Sequence, residues 1–152
     1  MRHSVNGFLR KILLGRMMEE RDKKSIKSFR DLDVYQNAYE AMLIVFKEIL
    51  PNLPDTEKFD LHSQLLRSSK AIPRLIAEGY AKKHQKAGFR KYIDDAHAES
   101  NEIIVCVEQS KDLYDVNETI CNDLIDRYDK ISRQLFKLAQ AWHQFSRKEE
   151  NE

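Results

Sequence analysis

The chain has 152 residues, 41% hydrophobic and 34% charged, a length that allows one domain with a sizeable core and is short for two. Four Gly and three Pro are few for a turn-rich sandwich or barrel, so the composition points to an all-α protein. The net charge of +1 hides a segregation: residues 1 to 28 hold eight Lys or Arg against three acids, and Arg67 to Lys91 hold eight basic residues against Glu78 alone, which leaves the rest strongly acidic.

Residues 1 to 28 read as a basic N-terminal extension. Phe8, Leu9, Ile12, Leu13, Met17 and Met18 alternate with Arg10, Lys11 and Arg16, and a charged run follows. Only four uncharged residues lie between Lys11 and Arg16, too few for a signal-peptide core or a membrane span, so a cytoplasmic protein with no membrane contact is expected. The extension is read as flexible, with a docked helix and a leader starting before Met17 or Met18 as the other readings.

From Leu32 to Leu50 the apolar positions Tyr35, Ala38, Met42, Val45 and Ile49 step by three and four, the stripe of a first helix. A second stripe of Tyr39, Leu43, Phe46 and Leu50 runs beside it, wider than one packing partner needs, so this helix is central or shared with another subunit. Pro51 and Pro54 close it. Asp55 or Thr56 is expected to cap the second helix, whose core is Leu61, Leu65, Ser69, Ile72, Ile76 and Gly79 or Tyr80. Pro73 lies inside this period, where it strips the Ser69 carbonyl of its amide partner at about 3 kcal/mol if uncompensated, and a bend is expected.

The third helix, about Gln85 to Tyr114, has its seam at Ile93, Ala96, Ser100, Ile103, Val107 and Ser110, with small residues that admit a close neighbour. Its run IIVCV, residues 103 to 107, is apolar on all sides and is expected to be buried all round, a second hint of an oligomer interface. Asn117 with Thr119 starts the fourth helix, in which Ile120, Leu124, Tyr128, Ile131, Leu135, Leu138, Trp142 and Phe145 recur nearly as heptads. Cys106 and Cys121 fall inside these patterns without CxxC spacing and read as buried thiols. The expected architecture is an antiparallel up-down-up-down four-helix bundle over residues 29 to 147, with a disordered tail at 148 to 152.

Isolated glycines exclude a phosphate-binding loop, and neither a GxSxG elbow nor a Cys/His nucleophile pair is visible. Asp94 and His97 form one D-x-x-H with Glu99 and Glu102 nearby, but a carboxylate metal centre in a bundle needs a second such motif, so no metal, cofactor or catalytic residue is expected. The basic segment offers more. Arg67, Lys70, Arg74 and Glu78 share one helix face opposite the apolar one, and Lys82, Lys83, Lys86, Arg90 and Lys91 cluster at the following turn. This is the footprint of phosphate-backbone binding, and Tyr80, Phe89 and Tyr92 lie among the cations, placed to stack on bases or, for Phe89 above all, to fill the core.

The segments SFRDLDVYQNAYE, EKFDLHSQLLRSSKAIPRLIAEG and FRKYIDDAHAESNEI resemble, in this order, the signatures of the bacterial four-helix-bundle proteins named after 23S rRNA intervening sequences. The most specific part falls on Gln64, Arg67, Ile72, Pro73, Ile76, Ala77, Glu78 and Gly79, and the resemblance spans about residues 28 to 145. It implies a bundle without enzymatic activity that assembles into a ring, commonly a homopentamer. It also implies likeness to the accessory protein of diversity-generating retroelements, which binds a reverse transcriptase and nucleic acid through a basic surface. The chain departs from the pattern at Ala71, Arg74 and Leu75, which replace polar residues around Pro73, and at Glu99.

The resulting expectation is a non-enzymatic, self-associating bundle that binds RNA or DNA, or an enzyme acting on them such as a reverse transcriptase, through Arg67, Lys70, Arg74, Lys82, Lys83, Lys86, Arg90 and Lys91. The alternative is a protein-protein scaffold in which the same cations pair with the acids of the third helix.

Overall fold

The computed structural model describes residues 25 to 149, and side chains up to residue 141. The expected extension therefore lies, up to residue 24, outside the described residues, as do Trp142 and Phe145 as side chains and the tail from residue 150. The described residues form four long helices and short turns, with no strand among them.

Chain entry is set by a 3₁₀ turn, Phe29–Asp31, held by a reciprocal capping box in which the Ser28 hydroxyl accepts from the Arg30 amide and the Asp31 carboxylate accepts from the Ser28 amide. Phe29 then packs edge-on against Tyr35 at 5.0 Å between ring centres. Helix α1, Asp33–Ile44, continues through a wide π turn, Val45–Ile49, and a 3₁₀ turn, Leu50–Asn52, where Pro51 ends it.

Helix α2, Leu61–Ala81, starts later than the sequence suggests. Asp55–Glu57 is a separate 3₁₀ turn, and the Glu57 carboxylate, not Asp55 or Thr56, accepts from the Leu61 amide. The phenol of Tyr114, at the far end of α3, donates to the other oxygen of the same carboxylate, tying the start of α2 to the end of α3. Helix α3 is Lys86–Tyr114, and helix α4 is Glu118–Glu149 with Asn117 accepting from the Ile120 amide as its cap. Asp115 closes α3 in the left-handed region at φ 52°.

The helices alternate in direction. Gly79 lies beside Tyr92 and Ile93 while Arg67 meets Glu99 and Glu102, so α2 and α3 run in opposite senses. Ser100 reaches Tyr128 and Lys111 reaches Asn122, and likewise Asn37 meets Gln134 and Glu40 meets Arg127, which sets α4 against both α3 and α1. The order is up, down, up, down.

The core follows the seams read from the periodicity: Leu61, Leu65, Ile72 and Ile76 of α2, Ile93, Ala96, Ile103 and Val107 of α3, and Leu124, Tyr128, Ile131 and Leu135 of α4. Small polar residues sit in the same seams. The buried Ser100 hydroxyl donates to the Tyr128 carbonyl and accepts from Ser132, so the close α3–α4 approach leaves these hydroxyls paired. Two apolar surfaces are open on the single chain: Val105 is 51% exposed on the outer face of α3, and along α1 and its π turn Tyr39, Leu43 and Phe46 are 45%, 41% and 37% exposed. The width of the α1 apolar face exceeds what α2 and α4 cover.

Candidate nucleic-acid interface

The eight candidate cations do not form one continuous free strip; the fold divides them. Arg67 lies along the α2–α3 seam, where its guanidinium donates to Glu99 at 2.9 Å, to Glu102 at 3.1 Å and to Gln64 at 3.1 Å. Burial opposes ionisation of Glu99, but the Ser68 hydroxyl and the Arg67 guanidinium outweigh it and hold this carboxyl below its ordinary range. Arg67 thus joins two helices.

Arg74 is exposed, yet its Nε donates to the Lys70 carbonyl at 3.1 Å. That carbonyl lies one residue after Ser69, the acceptor that Pro73 leaves without an amide, in the turn the proline ring crowds. Helix α2 runs unbroken through the buried Pro73, and the side chain that stands where the resembling pattern has a serine takes up a carbonyl beside it. Lys70 is half-buried.

The remaining cations gather at the α2–α3 turn. Lys82 follows the last residue of α2 and lays its stem over Gly88, whose absent side chain makes room: a β-carbon there would stand 3.2 Å from Lys82 Cδ. Its Nζ lies 5.6 Å from the centre of the Tyr92 ring, and Lys91 Nζ lies 5.4 Å from the same ring. Lys83 Nζ is 4.5 Å from the centre of the Tyr80 ring. Arg90 and Lys91 also meet the next turn of their own helix, at Asp94 (3.5 Å) and Asp95 (3.3 Å). Both pairs are exposed and contribute little to stability. Phe89 is buried in the core, while Tyr80 and Tyr92 stay half-buried.

The helix termini sharpen this picture. Lys82 and Lys83 at the C-terminal end of α2 complement its dipole, but the first turn of α3 holds Lys86 and no acid, against the usual preference for carboxylates there. The dipole ends of α2 and α3 offset one another here, so the attraction of this end for an anion rests on its lysines and arginines.

The carboxylates weighed as metal ligands are spent elsewhere: Asp94 on Arg90, Glu99 and Glu102 on Arg67. Among the described residues no group of three His, Cys, Asp or Glu side chains is placed to hold a metal, and no helix is long and apolar enough to cross a membrane.

The pairing of the strip with acids of the third helix, offered by the sequence as the alternative, is what Arg67 does within the bundle through Glu99 and Glu102. The exposure of Tyr39, Leu43 and Phe46 was signalled by the second stripe of the first helix but not decided by it.

Neither a curated protein nor a solved structure matches the chain. A family model does, that of the 23S rRNA-intervening sequence protein, over residues 30–137. That stretch holds the α1 stripe, the Pro73 turn, the basic α2–α3 end and most of α4. The chain belongs to the 23S rRNA-intervening sequence protein family.

Proposed function

We propose that the protein is a non-catalytic cytoplasmic bundle that self-associates, by family resemblance into a homopentameric ring, and binds RNA or DNA at its α2–α3 end. The observation that carries the binding reading is the cluster of Lys82, Lys83, Lys86, Arg90 and Lys91 around two half-buried tyrosines, with a lysine at the helix N-terminus where folding alone favours an acid. Self-association is supported by the Tyr39, Leu43 and Phe46 stripe, an apolar strip along the side of α1 and so apart from the basic turn at the end of the bundle.

The two activities are separable by mutation. A filter-binding titration with structured RNA, run over a salt series with light-scattering mass in parallel, tests both. In the Lys82→Glu, Lys83→Glu, Lys86→Glu variant we expect RNA affinity to be lost with the mass unchanged, and single Lys→Ala variants to lower the salt slope by about one each. In Leu43→Lys, Phe46→Lys we expect the mass to fall to that of one chain. Wild-type protein of oligomeric mass that binds no RNA or DNA at low salt leaves the scaffold reading in its place. Arg67 and Arg74 are not used in this test, because reversing them breaks contacts within the bundle.

A further inference from the structure

The surroundings of Tyr92 say what form of nucleic acid this end of the bundle takes. Tyr92 is rooted against the backbone of α2: a β-carbon added at Gly79 would lie 3.2 Å from Tyr92 Cβ. Its ring carries one ammonium from each helix, Lys82 at 5.6 Å and Lys91 at 5.4 Å, and of these Lys91 is shared with Asp95 at 3.3 Å. Tyr80, one residue beyond Gly79, carries Lys83 at 4.5 Å, with the Lys83 Nζ also 3.3 Å from the phenol oxygen. Three ring–cation pairs thus converge on one turn, and their members come from the last turn of α2, the two residues after it and the first two turns of α3.

A duplex has little use for such rings, because its base faces are stacked on one another and it offers only phosphates, sugars and groove edges. A single strand gains from them, since every unpaired base has a free π-face and stacking on an aromatic side chain is sequence-tolerant. An ammonium already held over a ring needs only a short swing to meet the phosphate beside a base stacked there. Because the Tyr92 root is fixed at Gly79, little order remains to be imposed on that ring on binding.

We infer that the ligand of this end is a single-stranded stretch of RNA or DNA whose bases stack on Tyr92 and Tyr80 while Lys82, Lys91 and Lys83 take the adjoining phosphates. The inference rests on the nucleic-acid reading above and narrows it. It also gives Tyr92 a role that a purely electrostatic surface lacks.

The test titrates the full chain with an unstructured single strand of about 20 nucleotides, long enough to exceed the span of one small binding domain, and with a duplex of the same length at the same salt. An aminopurine base in the strand reports stacking on the wild-type protein directly, without a variant. We expect quenching of its fluorescence on binding, tighter binding of the single strand than of the duplex, and a loss of roughly tenfold for the single strand alone in Tyr92→Ala. Tyr92→Phe keeps the ring and is expected to keep the affinity, which separates stacking from a phenol hydrogen bond and from a general loss of fold. Lys82→Ala is expected to weaken both ligands and lower both salt slopes.

Equal binding of the two ligands with no aminopurine quenching overturns the inference while leaving nucleic-acid binding intact. Binding of neither ligand, or of an acidic polypeptide in their place, overturns both readings.

Discussion

Two glycines in helices, each with a neighbour at the same distance, are predicted to respond to alanine in opposite ways. At Gly79 an added β-carbon meets Ile93 Cδ1 at 3.1 Å and Tyr92 Cβ at 3.2 Å; at Gly88 it meets Lys82 Cδ at 3.2 Å. Neither glycine has a positive φ, so alanine is conformationally allowed at both and gains up to about 1 kcal/mol of helix propensity, less near helix ends, where both lie. Ile93 is only 1% exposed and cannot retreat, so crowding at Gly79 costs about 1–3 kcal/mol. Lys82 is exposed and flexible and gives way at little cost. Because the propensity gain is common to both, the difference between the variants isolates the crowding: Gly79→Ala should be less stable than Gly88→Ala by about 1–3 kcal/mol. Urea denaturation followed by circular dichroism, at one fixed protein concentration so that self-association is constant, measures it. Equal stability of the two variants would refute the close α2–α3 approach at Gly79.

Three further outcomes follow from particular groups. The Tyr128 hydroxyl is buried without a partner among the described residues, so Tyr128→Phe should be neutral or stabilising by about 1 kcal/mol in the same assay, and a clear loss would reveal a partner. Glu99 is held below the ordinary carboxyl value of 4.5, so it contributes stability above that pH and loses it as pH falls through the lower folded value. Glu99→Gln should therefore flatten the acid limb of the stability profile below about pH 4.5, and an unchanged limb would remove Glu99 from it. Burial, with Glu102 and Asp60 nearby, pushes the Cys106 thiol up to about 11, so at pH 8 it should react with iodoacetamide far more slowly in native than in urea-unfolded protein, as read by mass spectrometry.

Much of the fold was legible because the bundle buries one stripe per helix and the chain writes those stripes plainly. The α3 seam from Ile93 to Ser110 and the α4 positions Leu124, Tyr128, Ile131 and Leu135 are all buried as their spacing requires. Misses came where a local rule met a competing contact. Asp55 and Thr56 have the chemistry of a helix cap, but they lie in a 3₁₀ turn of their own and Glu57 reaches the first amide of α2 instead. The capping box of Ser28 and Asp31 was present as an S-x-x-D pattern and went unread because it opens a 3₁₀ turn ahead of the helix. Val105, in the run read as a hint of an oligomer interface, points away from the seam and is exposed on the single chain.

The basic strip shows why charge patterning alone overstates a site. A helical wheel puts Arg67, Lys70 and Arg74 on one face, yet what each does depends on a partner the wheel does not contain. Arg67 meets two glutamates from 32 and 35 residues away and joins α2 to α3. Arg74 meets a carbonyl of its own helix, next to the gap that Pro73 opens in the hydrogen-bond ladder. The chain thus has arginine where the resembling pattern has a serine, and this guanidinium is turned back onto its own helix, whereas the cations grouped around Tyr92 and Tyr80 are those the proposed ligand would meet. Proline and positive charge thus share this segment without one requiring the other: Arg74 turns onto the Lys70 carbonyl, while Lys82 and Lys83, just past the end of α2, belong to the proposed binding surface.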